Sequence, residues 1–173
     1  MQIQVFTFNQ FFENTIIVFD KTKECVIIDP GCYTISEKDT LQKYISINNL
    51  IPVKLINTHC HIDHILGNNF IAKTYDLELE MNANDMELIK SSNEIAQLYG
   101  FTDYEMSPLP KKFLNEGDTL EFGNSQFKIL FTPGHAQVTY LFIQKKMVYL
   151  FQEMFYLTIA LVELISLEAT MIY

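Results

Sequence analysis

The sequence predicts a layered α/β domain. β-Branched apolar runs crowd the first third of the chain, helical spacing alternates with them further on, and sharp Gly/Pro breaks separate the segments. At 173 residues the chain is long enough for one domain with a real core and too short for two ordinary ones. No internal repeat or low-complexity segment interrupts it.

The elements follow in order. Gln2–Phe8 opens as a strand, alternating Ile3 and Val5 against Gln2 and Gln4; Phe6 and Phe8 then fall on the glutamine face, so both faces are expected to be partly covered. Asn14–Asp20 and Cys25–Ile28 are strands rich in β-branched residues, joined by the polar turn Asp20–Glu24. Asp29-Pro30-Gly31 stops the second of them. Ser36–Asn48 is a predicted helix, capped by Ser36, with Leu41, Tyr44, Ile45 and Asn48 at three- and four-residue spacing. Pro52–Asn57 is a short buried strand that runs into Thr58-His59-Cys60-His61-Ile62-Asp63-His64. Helices are predicted at Gly67–Tyr75 and Asn84–Tyr99, the latter with Met86, Ile89, Ile95 and Leu98 in register and Gly100 as its stop. After the loop Phe101–Pro110 come the strands Lys112–Leu114, Thr119–Phe122 and Gln126–Phe131, then the loop Thr132-Pro133-Gly134-His135 and a strand at Val138–Ile143.

Charge and cysteine usage narrow the class. The net charge of −9, with 12 lysines and no arginine, argues against a nucleic-acid backbone or an anionic membrane surface as partner. The N-terminus has no basic segment followed by a long apolar run, so no signal peptide is expected. Three cysteines without CxxC spacing make a disulfide framework unexpected and suit a cytoplasmic setting. In Met147–Tyr173, 20 of 27 residues are hydrophobic and only Glu153, Glu163 and Glu168 are charged. Its longest charge-free stretch after Glu153, Met154–Val162, is far short of the ~20 residues of a spanning helix, so no membrane span is expected.

The chemistry concentrates in the histidines. Three of the four lie between His59 and His64 together with Asp63, and the fourth is His135. Neutral imidazoles and a carboxylate are the ligands zinc takes outside thiolate sites. In an extended or turning segment His59 and His61 point the same way and can share one ion. Asp63 and His64, one turn later, can face a second, and His135 can complete the first. Two adjacent ions hold a bridging hydroxide that is nucleophilic at neutral pH. Cys60 is read as a small packed hydrophobe. Asp29 is either a turn residue or the hydrogen-bond partner behind a metal ligand. Lys111-Lys112 is read as solvated surface, with a carboxylate-binding patch as the alternative.

His59-x-His61-x-Asp63-His64 after a strand, with Thr132-Pro133-Gly134-His135 in a later loop, resembles the metallo-β-lactamase superfamily. The Asn14-Thr15 strand, Asp29-Pro30-Gly31, and the Glu116-Gly117-Asp118 and Phe122-Gly123 turns resemble its glyoxalase II-like, or hydroxyacylglutathione hydrolase-like, branch, over roughly Met1–Ile143. The resemblance implies an αββα sandwich, incomplete here at its C-terminal end, with a dinuclear site at one edge. It implies that His59, His61 and His135 bind the first metal and that Asp63 and His64 bind the second. The implied ions are zinc, or alternatively iron, and the resemblance assigns Asp63 as the catalytic carboxylate that orients the hydroxide. The implied activity is hydrolysis of a small-molecule thioester such as S-lactoylglutathione, with a lactonase-like hydrolase as alternative. The His at position 61, where flavodiiron members carry Glu, favours hydrolysis.

Two departures go with this resemblance. The loop after His135 is shorter than in relatives, and the family's bridging Asp and last His, in Gly-Asp-x-Leu-Phe and Ser-Gly-His-Gly segments, are absent, so the second ion is expected to be weak or missing. The chain therefore reads as a metallo-β-lactamase-like domain over residues 1–146 followed by an aberrant hydrophobic tail over 147–173. Gln144-Lys145-Lys146 is encoded by an A-rich run prone to slippage, and in the frame starting at each third base Met147-Val148 forces Gly, Met154-Phe155 forces Val, Phe155-Tyr156 forces Leu and Met171-Ile172 forces Asp. A frameshifted tail is thus expected over Met147–Tyr173, and a truncated, inactive product that retains partial metal binding is the alternative to an active hydrolase. The alternative to the frameshift is a genuine hydrophobic helix or strand pair. An uninterrupted gene frame without a downstream Ser-Gly-His-Gly segment would exclude the frameshift.

Overall fold

The computed structural model describes residues 1–131, 140–144 and 147–149. Among these, six strands form one sheet in chain order: β1 (Gln2–Phe8), β2 (Glu13–Phe19), β3 (Glu24–Ile28), β4 (Ile51–Ile56), β5 (Leu79–Met81) and β6 (Lys112–Phe113). The first three pair antiparallel, and from β3 onward the pairing is parallel. An antiparallel second sheet holds β7 (Thr119–Phe122), β8 (Ser125–Phe131), β9 (Tyr140–Gln144) and β10 (Met147–Tyr149), in the order β10-β9-β8-β7. The helices are α1 (Ile35–Ile47), α2 (Ile62–Ile65), α3 (Asn68–Tyr75), α4 (Met86–Lys90) and α5 (Ser92–Leu98), with a 3-10 turn at Ala83–Asp85.

The period of two along the strands explains the layering. Ile16, Val18, Val26, Ile28 and Ile56 face the second sheet and pack with Leu120, Phe122, Phe127 and Ile129. Ile17, Phe19, Cys25, Ile27 and Leu55 face the other way, onto Leu41, Ile45, Ile65 and Ile71 of the helices. The first sheet is therefore covered on both faces, which is why β2 and β3 read as unbroken apolar runs. In β1 the two faces divide as expected. Ile3 and Val5 join the inter-sheet core, while Phe6 stacks on Phe8 and meets Tyr44 edge-on in the helical layer. The described layers are helix, sheet and sheet; the second helical layer of the expected αββα sandwich is not among the described residues.

Two helices differ from the sequence reading. Thr34, not Ser36, caps α1. Its Oγ1 accepts from Glu37 N at 3.2 Å, and Glu37 Oε2 accepts from Thr34 N at 2.8 Å. Glu37 stands three residues after Thr34, the spacing a reciprocal capping box needs. The same carboxylate also accepts from Asn9 N and Tyr33 N, tying the β1–β2 loop to α1. Thr34→Ala should cost about 1 kcal/mol of stability in a urea titration.

The helix expected over Asn84–Tyr99 is interrupted. Ser91 leaves the helical basin at φ −92, ψ 3, and its Oγ donates to Glu87 O at 2.7 Å while Ser92 Oγ donates to Ile89 O at 2.7 Å. Hydroxyls competing for main-chain carbonyls break the ladder. The buried face nevertheless continues across the break at helical spacing, through Asp85, Ile89, Ser92 and Ala96. Of the residues expected in register, Ile89 is buried and Ile95 packs partly against the core, whereas Leu98 is 84% exposed. No helix among the described residues is long and apolar enough to cross a membrane.

Candidate metal centre

Parallel pairing of β3 and β4 sets Ile28 opposite Ile56, so the loops leaving the two strands emerge side by side. Functional loops collect at such carboxyl ends. Asp29 N still donates to Ile56 O at 2.9 Å; then the chain turns, with Asp29 in the left-handed region at φ 49, which a short polar side chain tolerates. Asp29 is thereby placed under the loop Thr58–His64.

Asp29 is bonded through both oxygens. Oδ1 accepts from Thr58 N at 2.7 Å and Asn57 Nδ2 at 3.3 Å, and Oδ2 accepts from Thr58 Oγ1 at 2.5 Å. Thr58 Oγ1, having given its proton to Asp29, accepts from His59 Nδ1 at 3.1 Å. That fixes His59 with its proton on Nδ1 and a lone pair on Nε2. This Nε2 lies 3.1 Å from His61 Nδ1. Two nitrogen ligands about 2.0–2.1 Å from a tetrahedral ion stand roughly 3.4 Å apart, so this pair has ligand spacing.

A second donor pair lies beside the first. His64 Nδ1 faces Asp29 Oδ2 at 3.3 Å and Glu13 Oε1 at 3.8 Å, while His64 Nε2 faces Asp63 Oδ2 at 3.4 Å. Carboxylates behind Nδ1 favour the Nδ1–H tautomer, as they do behind metal-bound imidazoles. The His59 and His64 rings are 4.1 Å apart between centroids. Asp29, His59 and His64, all buried, each bring one ligand atom within 4.8 Å of the others. With Asp29 committed to Thr58 and Asn57, the groups with ligand chemistry facing outward are His59 Nε2, His61 Nδ1, Asp63 Oδ2 and His64 Nε2. The donor set fits a metal.

The loop is held from below. Asn57 Nδ2 donates to His64 O at 3.1 Å, and Asn57 Oδ1 accepts from Asn68 Nδ2 at 2.7 Å. Asp85 Oδ2 accepts from Cys60 N at 2.9 Å. Gly67 N donates to Pro30 O at 2.7 Å, and a Cβ at Gly67 would meet Cys32 Sγ at 2.5 Å. Under Gly31, Thr15 Oγ1 accepts from Gly31 N at 2.9 Å and donates to Glu13 Oε2 at 2.9 Å.

Of the residues expected at the site, His59, His61, Asp63 and His64 come together; His135 lies outside the described residues. Asp29 takes the role of partner behind the ligands, and it serves two of them. Cys60 points away among buried residues, next to Met81, and burial pushes its thiol well above the ordinary value. Lys111 and Lys112 pair with Glu78 and Glu80 at 2.7 and 2.9 Å, as solvated side chains at the sheet edge. Sequence reasoning passed over Thr58, Asn57, Asp85 and Glu13. The signal for Glu13 was available: a carboxylate opening the apolar strand ENTIIVF.

Residues 9–151 match the metallo-beta-lactamase superfamily. The chain is 30% identical over 138 residues to the hydroxyacylglutathione hydrolase GloC of Haemophilus influenzae, covering 79% of this chain and 63% of that protein. It is 31% identical over 116 residues to the probable metallo-hydrolase YqgX of Bacillus subtilis, covering 65% and 52%. Among solved structures, TTHA1623 in a di-iron-bound form superposes with a TM-score of 0.69 at 28% identity, covering 82% of this chain and 66% of that one. The B3 metallo-beta-lactamase BLEG-1 superposes with a TM-score of 0.72 at 18% identity, covering 84% and 68%. The chain spans about half to two thirds of the length of these curated relatives.

Proposed function

The chain belongs to the metallo-β-lactamase superfamily, and from that premise we propose that it acts as a metal-dependent hydrolase of small-molecule thioesters of the hydroxyacylglutathione kind. The observation that carries this reading is the pair of donor sets at ligand spacing, His59 with His61 and Asp63 with His64, each backed by Asp29. Relatives named hydroxyacylglutathione hydrolase, at about 30% identity, support the thioester as substrate class.

His59, His61 and His64 would hold zinc or iron, with Asp63 as the oxygen ligand. A bound ion supplies Lewis acidity and brings water into nucleophilic form near neutral pH. The chain's own residues do the rest. Asp29 holds the proton on His64 Nδ1 directly and on His59 Nδ1 through Thr58, leaving both Nε2 atoms as donors. Asp63, anionic and with 21% of its side chain exposed, reaches the solvent side, as the partly exposed His61 also does, and there it accepts a hydrogen bond from the attacking water and orients it toward the thioester carbonyl.

The test loads the full chain with zinc or iron, measures bound metal by mass spectrometry, and follows thiol release from S-lactoylglutathione. Bound metal with turnover that disappears in His59→Ala is the expected result. A metal-loaded chain that leaves the thioester intact and opens a lactone would move the substrate to the lactonase reading; a chain that binds no metal would remove the hydrolase.

A further inference from the structure

Glu13 is a strongly buried carboxylate near the centre with an oxygen to spare. The residue is 2% exposed. Its Oε2 is occupied by the Thr15 hydroxyl, whereas Oε1 has no hydrogen-bond partner among the described residues and points toward His64 Nδ1 at 3.8 Å. Burying a carboxyl in this way is costly, since a buried polar group without its full set of bonds has given up hydration without replacing it. A leucine of similar volume would remove that cost. The carboxyl nevertheless occupies the space left by the missing side chain of Gly31: a Cβ there would overlap Glu13 Oε2. The Gly31 turn, Thr15 and Glu13 therefore form one packed unit against the back of His64.

We propose that Glu13 is a positioning residue of the metal centre: with Asp29 it clasps the Nδ1 side of the His64 ring and so keeps Nε2 turned toward Asp63. Asp29 alone meets Nδ1 from one direction, and its Oδ2 is shared with the Thr58 hydroxyl. Glu13 reaches the same nitrogen from β2, closing the space into which the ring would otherwise rotate. This assignment rests on the reading of Asp63 and His64 as metal ligands.

The experiment compares wild type, Glu13→Leu and Glu13→Gln in the full chain. In urea, metal-free Glu13→Leu should stay folded and close to wild type in stability, because the apolar side chain suits the pocket while the Thr15 hydroxyl loses its acceptor. Its zinc affinity, measured by competition with a chromophoric chelator, should nevertheless fall about tenfold. Glu13→Gln, which can still offer a carbonyl oxygen to His64 Nδ1, should recover affinity to within about threefold of wild type. The metal-free chain gives a second readout. Nitrogen chemical shifts of His64 should report a single Nδ1–H tautomer in wild type and a mixture in Glu13→Leu. Unchanged zinc affinity and unchanged His64 shifts in Glu13→Leu would overturn the assignment. If wild type bound no zinc, the hydrolase reading would fail, and the His64 shifts would still decide the role of Glu13.

Discussion

Asp29→Ala should lower metal affinity by on the order of 100-fold or more. Loss of a single carboxylate behind one metal-bound imidazole costs roughly 10- to 100-fold, and Asp29 stands behind two, directly at His64 and through Thr58 at His59. The substitution also strands Thr58 N, a buried donor 2.7 Å from Asp29 Oδ1, which adds about 1–3 kcal/mol of destabilisation. Asp29→Asn separates the two effects. Its carbonyl oxygen can keep the Thr58 N bond, so stability should stay close to wild type. Its amide group would then face the Thr58 hydroxyl and His64 Nδ1 as a donor where an acceptor is needed. Chelator competition and urea unfolding on the two variants check this. An Asn variant that binds metal like wild type would show that Asp29 acts only through folding.

Gly31→Ala should destabilise the chain by about 3 kcal/mol, at the upper end of what overpacking costs. The added methyl would overlap the Glu13 carboxylate and approach the Asp63 carbonyl to 2.5 Å. The second obstacle is main chain, and that carbonyl is itself fixed by Asn9 Nδ2 at 3.0 Å. Relief would have to come from moving the segment that carries Asp63 and His64, so metal binding should weaken alongside stability. Combining the change with Glu13→Ala removes only the side-chain obstacle and should restore part of the loss. Full restoration would mean that the Asp63 carbonyl yields without resistance. Urea titrations of the single and double variants measure both outcomes.

What could be read from sequence, and what could not, divides along a physical line. The strands β1 to β4 were legible because burial on one or two faces writes itself as alternation or as an apolar run. The His59–His64 cluster was legible because few other roles need three imidazoles and a carboxylate so close together. Short-range competition was not legible. Thr34 and Ser36 are both good caps, and only the reach of Glu37 to the Thr34 amide separates them. At Ser91 two adjacent hydroxyls turn to carbonyls and end a helix whose apolar spacing continued past them. The supports of the site were hidden for a different reason. Glu13, Thr58 and Asp85 matter through contacts with residues whose positions are set by the sheet, and spacing along the chain carries no trace of those contacts.

The parallel pairing of β3 with β4 has a consequence for the order of assembly. Asp29 and the candidate ligands from His59 to His64 all lie on the β3–α1–β4 crossover and the turn that follows it, and their braces Glu13 and Thr15 lie on the adjoining strand. The described part of the centre thus draws its candidate ligands and most of its supports from the first 64 residues, with Gly67, Asn68 and Asp85 added from further along. Such contacts close short loops, so their entropic cost is low and they can form early. During synthesis from the N-terminus this unit leaves the ribosome before the second sheet exists. An ion captured at that stage would act as a nucleation point, cross-linking β3 to β4 while the face that later receives the second sheet is still open to water.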